Sequence, residues 1–575
     1  MLFYGVFCGV RERKVHLNVI FRDRTVKNFI FTRLKILIYM MPDACVSYRK
    51  TGYFSKLICD YVEQEPVLKP FYNRFPEMGS FKEQLREKQG SYSGDTRQVL
   101  ADALERQYAH TVMTAETSSN IHALRSENTF TITTGHQLNL FTGPSYFLYK
   151  IITTLKLARQ LASEYAGYHF VPVYWMATED HDFEEINHFN VHGKNFCWNR
   201  SSGGAVGRFS TDGLDEVYRL FAAELGPGAS SEFLKQLFEK AYLEHDNLAS
   251  ATRFLVNELF GEYGLVIVDG DDRSLKELFI PYAENDIFRN VAYRSVSGTS
   301  EALKEADGNY NLQVNPREIN LFYLDEGLRE RIGKAGDTYG VVDTDITWSK
   351  EALLQHLQEE PQKFSPNVIL RPLYQEVILP NLCYIGGGGE IAYWLQLKGF
   401  FEEEKVPFPV LLVRNSVLLV SAKQRSKLEN LRISPEALFL KRDAFINKKV
   451  REISDVDIDF TPQKKHLQEQ FREMYELAEK TDKTFLNAVR AQEKKQLKGL
   501  DKLEKRLLKA QKRKLSDQVI RMTEIQNELF PGQSLQERTV NFSQFYEQYG
   551  KALISLLLDE LDPLKGDFYV LTPQA

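Results

Sequence analysis

Residues 129–134 read as a short buried strand that stops at Gly135, and a long amphipathic helix is soon under way behind it. Leu148, Ile151, Ile152, Leu155, Ala158 and Leu161 share one helical face as far as Tyr165. Pro144 stands where a proline belongs, in a helix's first turn. A second apolar run, 169–176, follows at once. Strand, helix and strand of this length form a βαβ unit, which makes the two strands parallel, the crossover right-handed, and both loops neighbours on one edge. The chain is thereby committed to an α/β fold with a parallel sheet. A glycine at the end of a buried strand lets backbone approach a ligand, and a helix N-terminus beyond it offers free amides to an anion. Thr134, Gly135, Thr142 and Gly143 are therefore candidate contacts for a nucleotide or carboxylate.

Further strands fit the same sheet. The run 169–176 ends in Glu179-Asp180-His181-Asp182, an acidic cluster at a strand's carboxyl end, where open parallel sheets place their ligands. A third strand, 264–272, also has an acidic end. The strand 382–385 runs into Gly386-Gly387-Gly388-Gly389-Glu390 ahead of a helix over 391–400, and 409–413 with 417–420 gives a last edge strand or a kinked pair. Five parallel strands with two insertions result. The segments are 41–198, N-terminal helices and the first half of the core; 199–263, a helical insertion; 264–294, a core strand and helix; 295–366, a second α+β insertion; and 367–422, the second half of the core. A connector, 423–462, leads to long helices over 463–530, and 531–575 packs back on the core.

The long helices carry a heptad seam: Leu467, Phe471, Met474, Ala478, Thr481, Phe485 and Ala488 alternate steps of four and three. Such a rod pairs with itself as a hairpin or with another subunit, and a coiled-coil homodimer is the economical reading. Its basic run from Lys494 to Lys514 reads as a solvated face, because no aromatics for base stacking stand among the lysines.

The chain's net charge of -5 and pI of about 6.2 point to neither nucleic acid nor an anionic membrane as the main partner. Cys8, Cys45, Cys59, Cys197 and Cys383 are scattered and never form a CxxC pair, which speaks for a reducing cytoplasm and against a disulfide framework or zinc knuckle. Residues 1–40 hold eight Lys/Arg against two acidic residues and read as a non-core extension from a start misassigned upstream of Met40 and Met41.

Four ordered motifs carry a resemblance: Gly135-His136-Gln137 with Leu140-Phe141-Thr142-Gly143-Pro144; Glu179-Asp180-His181-Asp182 with Glu185-Ile186-Asn187; Arg371-Pro372 with Gln375-Glu376; and Gly386-Gly387 with Gly389-Glu390-Ile391, Tyr393-Trp394 and Gln396-Leu397-Lys398. In these the chain resembles the bacillithiol biosynthesis cysteine-adding enzyme family from about Met41 to the C-terminus, departing from its pattern at His136, Asn139 and Cys383. The resemblance implies a Rossmann-like core similar to class I aminoacyl-tRNA synthetases, two connecting-peptide insertions and a dimerising coiled coil. It also implies a cysteine ligase that joins cysteine to glucosaminyl-malate through an acyl-adenylate made from ATP.

In that chemistry His136 either donates to developing negative charge or is a satisfied structural histidine. Glu179, Asp180 and Asp182 beside His181 hold a substrate ammonium or a divalent ion, or orient a base; the alternative is a helix-start cap. Gln137, Asn139, Asn187 and Gln375 are candidate substrate contacts. Arg371 pairs with a carboxylate of the ligand or with Glu376. Gly386, Gly387 and Gly389 pass beneath adenine or ribose, and Glu390 bonds a ribose hydroxyl. Two other function classes stay open: a nucleotide-binding dimeric scaffold and an RNA-binding synthetase relative.

Overall fold

The computed structural model describes residues 44–201 and 203–573, so the basic stretch 1–40 lies outside the described residues. Five parallel strands form the central sheet: β1 (Thr129–His136), β2 (His169–Met176), β3 (Val266–Asp269), β4 (Asn381–Gly386) and β5 (Val410–Val413). Their order is β5-β4-β1-β2-β3. The order reverses between β1 and β4, which creates a crevice at their carboxyl ends. The helices that flank it are α1 (Tyr146–Glu164), α2 (Leu370–Ile378) and α3 (Gly388–Gln396).

β1 is rich in threonine yet wholly buried. Its hydroxyls find partners on β4: Thr133 donates to Asn381 Oδ1 at 2.8 Å and Thr134 to the Ile385 carbonyl at 2.8 Å. A buried hydroxyl left alone would cost about 1–3 kcal/mol, so these bonds favour this pairing of strands. β1 runs two residues beyond the expected 129–134 because Gly135 and His136 pair with Trp175 and Met176.

Several expectations are corrected. β3 is shorter than 264–272, because Gly270 packs against Trp175 and Asp272 caps the next helix, Arg273–Glu277. The pair 409–413 and 417–420 divides between sheets. Val410–Val413 stays in the core, while Ser416–Leu419 joins Asp567–Leu571 and Ala44–Ser47 in a three-stranded sheet. The helical start expected at 41 is thus a strand. The helix over 391–400 begins at Gly388 and breaks after Gln396, resuming as Lys398–Glu403.

The chain between β2 and β3 forms the hairpin His188–Val191 with Lys194–Cys197, then helices Leu214–Glu224, Ala229–Leu243 and Leu248–Phe260. Between β3 and β4 it builds an antiparallel five-stranded sheet from Leu321–Asp325, Leu328–Ala335, Thr338–Val341, Thr347–Trp348 and Phe364–Pro366. The strand Leu328–Ala335 escapes the sequence pattern because half of its residues, Arg329, Glu330, Arg331 and Lys334, are charged.

Toward the C-terminus, α4 (Thr461–Ala478) and α5 (Lys483–Lys514) form an antiparallel hairpin. Phe471, Ala478 and Val489 are its buried centre, and Lys464 pairs with Asp501 and Glu504. The seam expected to run on to Ala488 is cut at Asp482, whose carboxylate accepts from the amides of Thr484 and Phe485 and starts a new helix. Met474, Leu477 and Phe485 remain exposed at the tip, by 46, 61 and 49%. Among the described residues no helix is long and apolar enough to cross a membrane.

Candidate active site

A cavity of about 680 Å³ fills the crevice between β1 and β4. Gly135, His136 and Gln137 form one wall and Asp180, His181 and Asp182 the next. Arg371 and Gln375 of α2 and the turn Gly387–Glu390 close two more sides. The second insertion contributes Phe322, Arg329 and Arg331, and the C-terminal segment contributes Arg538.

The frame is held by Lys150, a lysine of α1 that is 3% exposed. Its ammonium donates to the Gly135 carbonyl at 2.6 Å and meets the Glu390 carboxylate at 2.6 Å. Glu390 also accepts from the Gly387 amide and the Tyr384 hydroxyl, each at 2.8 Å. Glu390 thereby joins the two loops while its side chain still lines the cavity. Burial lowers the Lys150 pKa, and Glu390 opposes that shift.

Asp180 lies at the centre of a polar set. Gln137 Nε2 donates to it at 3.4 Å, the His181 amide at 2.8 Å, and Arg371 stands 3.6 Å away. Burial acts to raise its pKa, but His181, Arg371 and Arg329 outweigh burial and hold the carboxyl far below the usual carboxylate range. Arg371 therefore pairs with Asp180 and not with Glu376, which is tied to Lys88 and Asn381. Arg329 donates to His181 Nδ1 at 2.7 Å and stacks on Phe322 at 3.9 Å. Since arginine only donates, His181 Nδ1 is the acceptor of that bond. Burial brings the Arg329 pKa down to about 10.

The acidic cluster is compensated from within. Glu179 turns away from the cavity to Lys276 at 2.6 Å, and Lys276 also meets Asp271 at 2.9 Å. Asp182 caps a short helix, accepting from the Glu185 amide at 3.3 Å while its carboxylate lines the cavity. The repulsion expected of three carboxylates, which suggested a bound ammonium or metal, is thus relieved by Lys276, Arg371 and Arg329. Among the described residues no three His, Cys, Asp or Glu side chains are grouped to hold a metal ion.

His136 is wedged between Tyr146 and Phe147, with ring centroids 5.3 and 5.0 Å away. Burial, then Lys150, keeps its pKa well below the usual value, while a bond to the main chain of Thr142 acts the other way. A neutral ring that spends its N–H on Thr142 has none left for a developing negative charge.

The loop before α1 also departs from expectation. Phe141, Thr142 and Gly143 all have positive φ, and Asn541 holds the loop by donating to the carbonyls of Phe141 at 2.7 Å and Gly143 at 2.5 Å. The Ser145 amide bonds the Val540 carbonyl at 2.8 Å. One amide at the start of α1, that of Ser145, is therefore taken by the C-terminal segment. Thr142 and Gly143 are structural: a Cβ at Gly143 would meet Asn139 Cβ at 2.7 Å. Asn139 donates to the Glu185 carbonyl, Asn187 contacts His188, and Thr134 and Gly386 are buried in their strands. None of these lines the cavity. The glycine run does: Gly387, Gly388 and Gly389 open α3 onto it.

Sequence reasoning missed Lys150, Arg317, Arg329, Arg331, Arg414 and Arg538. With Arg371 they make seven cationic side chains on the cavity, against the carboxylates of Asp180, Asp182, Glu185 and Glu390. Arg414 is taken by Glu537 at 2.8 Å. Arg317, Arg331 and Arg538 have no ion pair among the described residues. The cavity thus suits a ligand with several negative charges.

Comparisons with known proteins cover nearly the whole described chain. The family model for the bacillithiol biosynthesis BshC N-terminal Rossmann-like domain matches residues 41–415, and that for the BshC C-terminal coiled-coil domain matches 417–573. A relative from Christiangramia forsetii, named "Putative cysteine ligase BshC", is 57% identical over 536 residues, covering 92% of this chain and 99% of its own. One of the same name from Flavobacterium johnsoniae is 56% identical over 532 residues, covering 92 and 100%. Another from Salinibacter ruber is 32% identical over 470 residues, covering 80 and 85%. A solved chain from Campylobacter jejuni, described as a "putative arginyl t-RNA synthetase", is 9% identical over 77% of this chain and 97% of its own, with a TM-score of 0.19, too low to carry a shared fold.

Proposed function

The chain belongs to the bacillithiol biosynthesis BshC family, and from that premise we propose that it is the ligase that joins cysteine to glucosaminyl-malate by an amide bond, with ATP as the source of activation. The observation that carries this reading is the crevice at the sheet's switch point, where residues of all four motifs converge on one cavity with an excess of cationic side chains. Relatives that share more than half of their residues with this chain bear the cysteine ligase name.

The residues fit the three reactants by charge. The ionised Asp180 is the group for an ammonium, and cysteine brings one. Arg371 and Arg329, facing the same space, suit carboxylates, which cysteine and the malyl group both carry. The Gly387–Gly389 turn and the unpaired Arg317, Arg331 and Arg538 would hold the phosphates of ATP, which when bound supplies the activation of the cysteine carboxyl group. In the net step the glucosaminyl nitrogen forms a bond to the cysteine carbonyl carbon, the bond from that carbon to the oxygen bearing the ATP-derived group breaks, that group leaves with its oxygen, and the amine proton passes to water. Asp180, held far below the usual carboxylate range, is a poor acceptor for that proton and acts by charge and position. His181 has its accepting nitrogen on Arg329 and is held for orientation.

The family resemblance also supports a homodimer through the helical hairpin, and the apolar tip of Met474, Leu477 and Phe485 is the surface that fits it. The test in cells is replacement of the chromosomal copy with Asp180→Asn. Loss of cellular bacillithiol with the protein present at normal level is expected, and unchanged bacillithiol would overturn the assignment of Asp180.

A further inference from the structure

One strongly charged surface lies outside the cavity. Along α5, Lys494, Lys498, Lys502, Lys505, Lys509 and Lys512 recur every three or four residues, the period of the helix itself. Lys495, Arg506 and Arg513 flank them. At roughly 100° per residue all nine fall within an arc of about 120°, and they extend for about 28 Å along the axis. All are exposed except the half-buried Lys512.

The acidic residues of α5 fall outside the arc and are used elsewhere. Glu493 accepts from the Tyr475 hydroxyl at 2.6 Å, Asp501 and Glu504 meet Lys464 at 2.6 and 2.8 Å, and Glu504 also meets Arg451 at 2.7 Å. None of the nine cations has an ion pair among the described residues. Most of the apolar side of the helix is also taken: Leu486 packs in the hairpin, and Leu507 and Leu508 against the main core, while Leu503 and Phe485, which lie outside the arc, stay exposed by 52 and 49%. The arc therefore holds neither an apolar seam for a second copy nor an apolar face to enter a lipid surface.

We propose that this stripe is a docking surface for the phosphate backbone of a duplex nucleic acid. The chain as a whole has a net charge of -5, so this density of positive charge is local. A duplex carries one negative charge per about 1.7 Å of axis, and about 28 Å of helix faces about eight base pairs of it. Flexible lysines suit phosphates as point charges. No aromatic residue stands in the arc, which removes the stacking on which single strands depend. Binding is then indifferent to sequence and steeply dependent on salt.

The test uses the full chain and fluorescence anisotropy with a labelled 20-base-pair duplex, made once as RNA and once as DNA, over a range of potassium chloride concentrations. A labelled single strand and vesicles of phosphatidylglycerol complete the set. The proposal expects duplex binding whose logarithm falls linearly with that of salt. K498E/K502E/K505E/K509E should weaken it at least tenfold at low salt and lower the slope by about four. The same four positions as glutamine should give a smaller loss, which keeps the result readable if charge reversal harms folding. Preference for the RNA or the DNA form identifies the source of the backbone, and either supports the proposal. Absence of duplex binding at low salt, binding unchanged in both variants, or tighter binding to the single strand or the vesicles would each overturn it.

Discussion

Lys150 and Glu390 meet at 2.6 Å across the switch point of the sheet, and through the bond from Lys150 to the Gly135 carbonyl this one pair fixes the end of β1 against the start of α3. Breaking a buried pair from one side leaves an uncompensated charge and costs about 3–5 kcal/mol, and the partial exposure of Glu390 places this pair at the lower end, about 3 kcal/mol. Lys150→Met should lower the unfolding free energy by about that much and abolish ligation. K150M/E390Q should recover part of the stability and none of the activity. Chemical denaturation checks the first statement, and additive losses in the double variant would contradict it.

Asp180 is predicted to act as a fixed negative charge. Because its carboxyl is held far below the usual range, it stays ionised across pH 5–9. Asp180→Asn should raise the KM for cysteine by about 10- to 100-fold, the worth of a charge-assisted hydrogen bond. The deficit should be the same at pH 6 and pH 8. A deficit that vanishes toward low pH would show instead that Asp180 titrates in the working range.

The contact between the helix Ile280–Arg289 and the second insertion should be pH-sensitive. Asp286 is 1% exposed and accepts from the Asn320 amide at 2.6 Å and from its side chain at 3.0 Å. Burial raises its pKa to about 7 from 3.8, with Asn320 opposing and Glu404 adding to the rise. A carboxyl with a raised folded pKa favours the fold in its protonated form. That contribution is complete below the unfolded pKa and is lost as pH rises through about 7, to an extent of about 2–4 kcal/mol. Thermal stability of the wild type should therefore decline more between pH 5 and pH 8 than that of Asp286→Asn. Glu376, also raised to about 7 by burial, will leave a residual slope in the variant. Parallel curves would contradict the prediction.

The exposed tip of the helical hairpin carries the oligomer prediction. Met474, Leu477 and Phe485 lie at the turn between α4 and α5. Sedimentation of the full chain should show a dimer, and Leu477→Asp with Phe485→Asp should shift it to a monomer with unchanged helix content. A wild type that sediments as a monomer would remove the dimer from the account.

The parallel sheet is legible in the sequence because the first four core strands are apolar or threonine-rich runs that stop at or just before a glycine or a carboxylate, and the spacing between the first two leaves room for one helix. Its order, β5-β4-β1-β2-β3, could not be read that way, since it depends on which buried hydroxyls meet, as Thr133 meets Asn381. Gly135, Gln137, Asp180, Arg371 and the Gly387–Glu390 turn are brought to one cavity. Lys150 went unnoticed because a lysine on a long helix looks like part of its wet face, whereas α1 is buried nearly all round. Arg329 and Arg331 stand on a strand too charged to show an apolar period. Asn541 holds a loop almost four hundred residues away in sequence, and nothing local marks it.

The most direct test of the central claim is incubation of the purified chain with ATP, cysteine and glucosaminyl-malate, followed by mass spectrometry of the products. A new species with the combined mass of cysteine and glucosaminyl-malate less one water is predicted, formed only when ATP is present and strongly reduced in reactions of Asp180→Asn at cysteine concentrations below its raised KM. No such amide with magnesium, manganese, zinc or no added metal, from protein that is folded by circular dichroism, would contradict it.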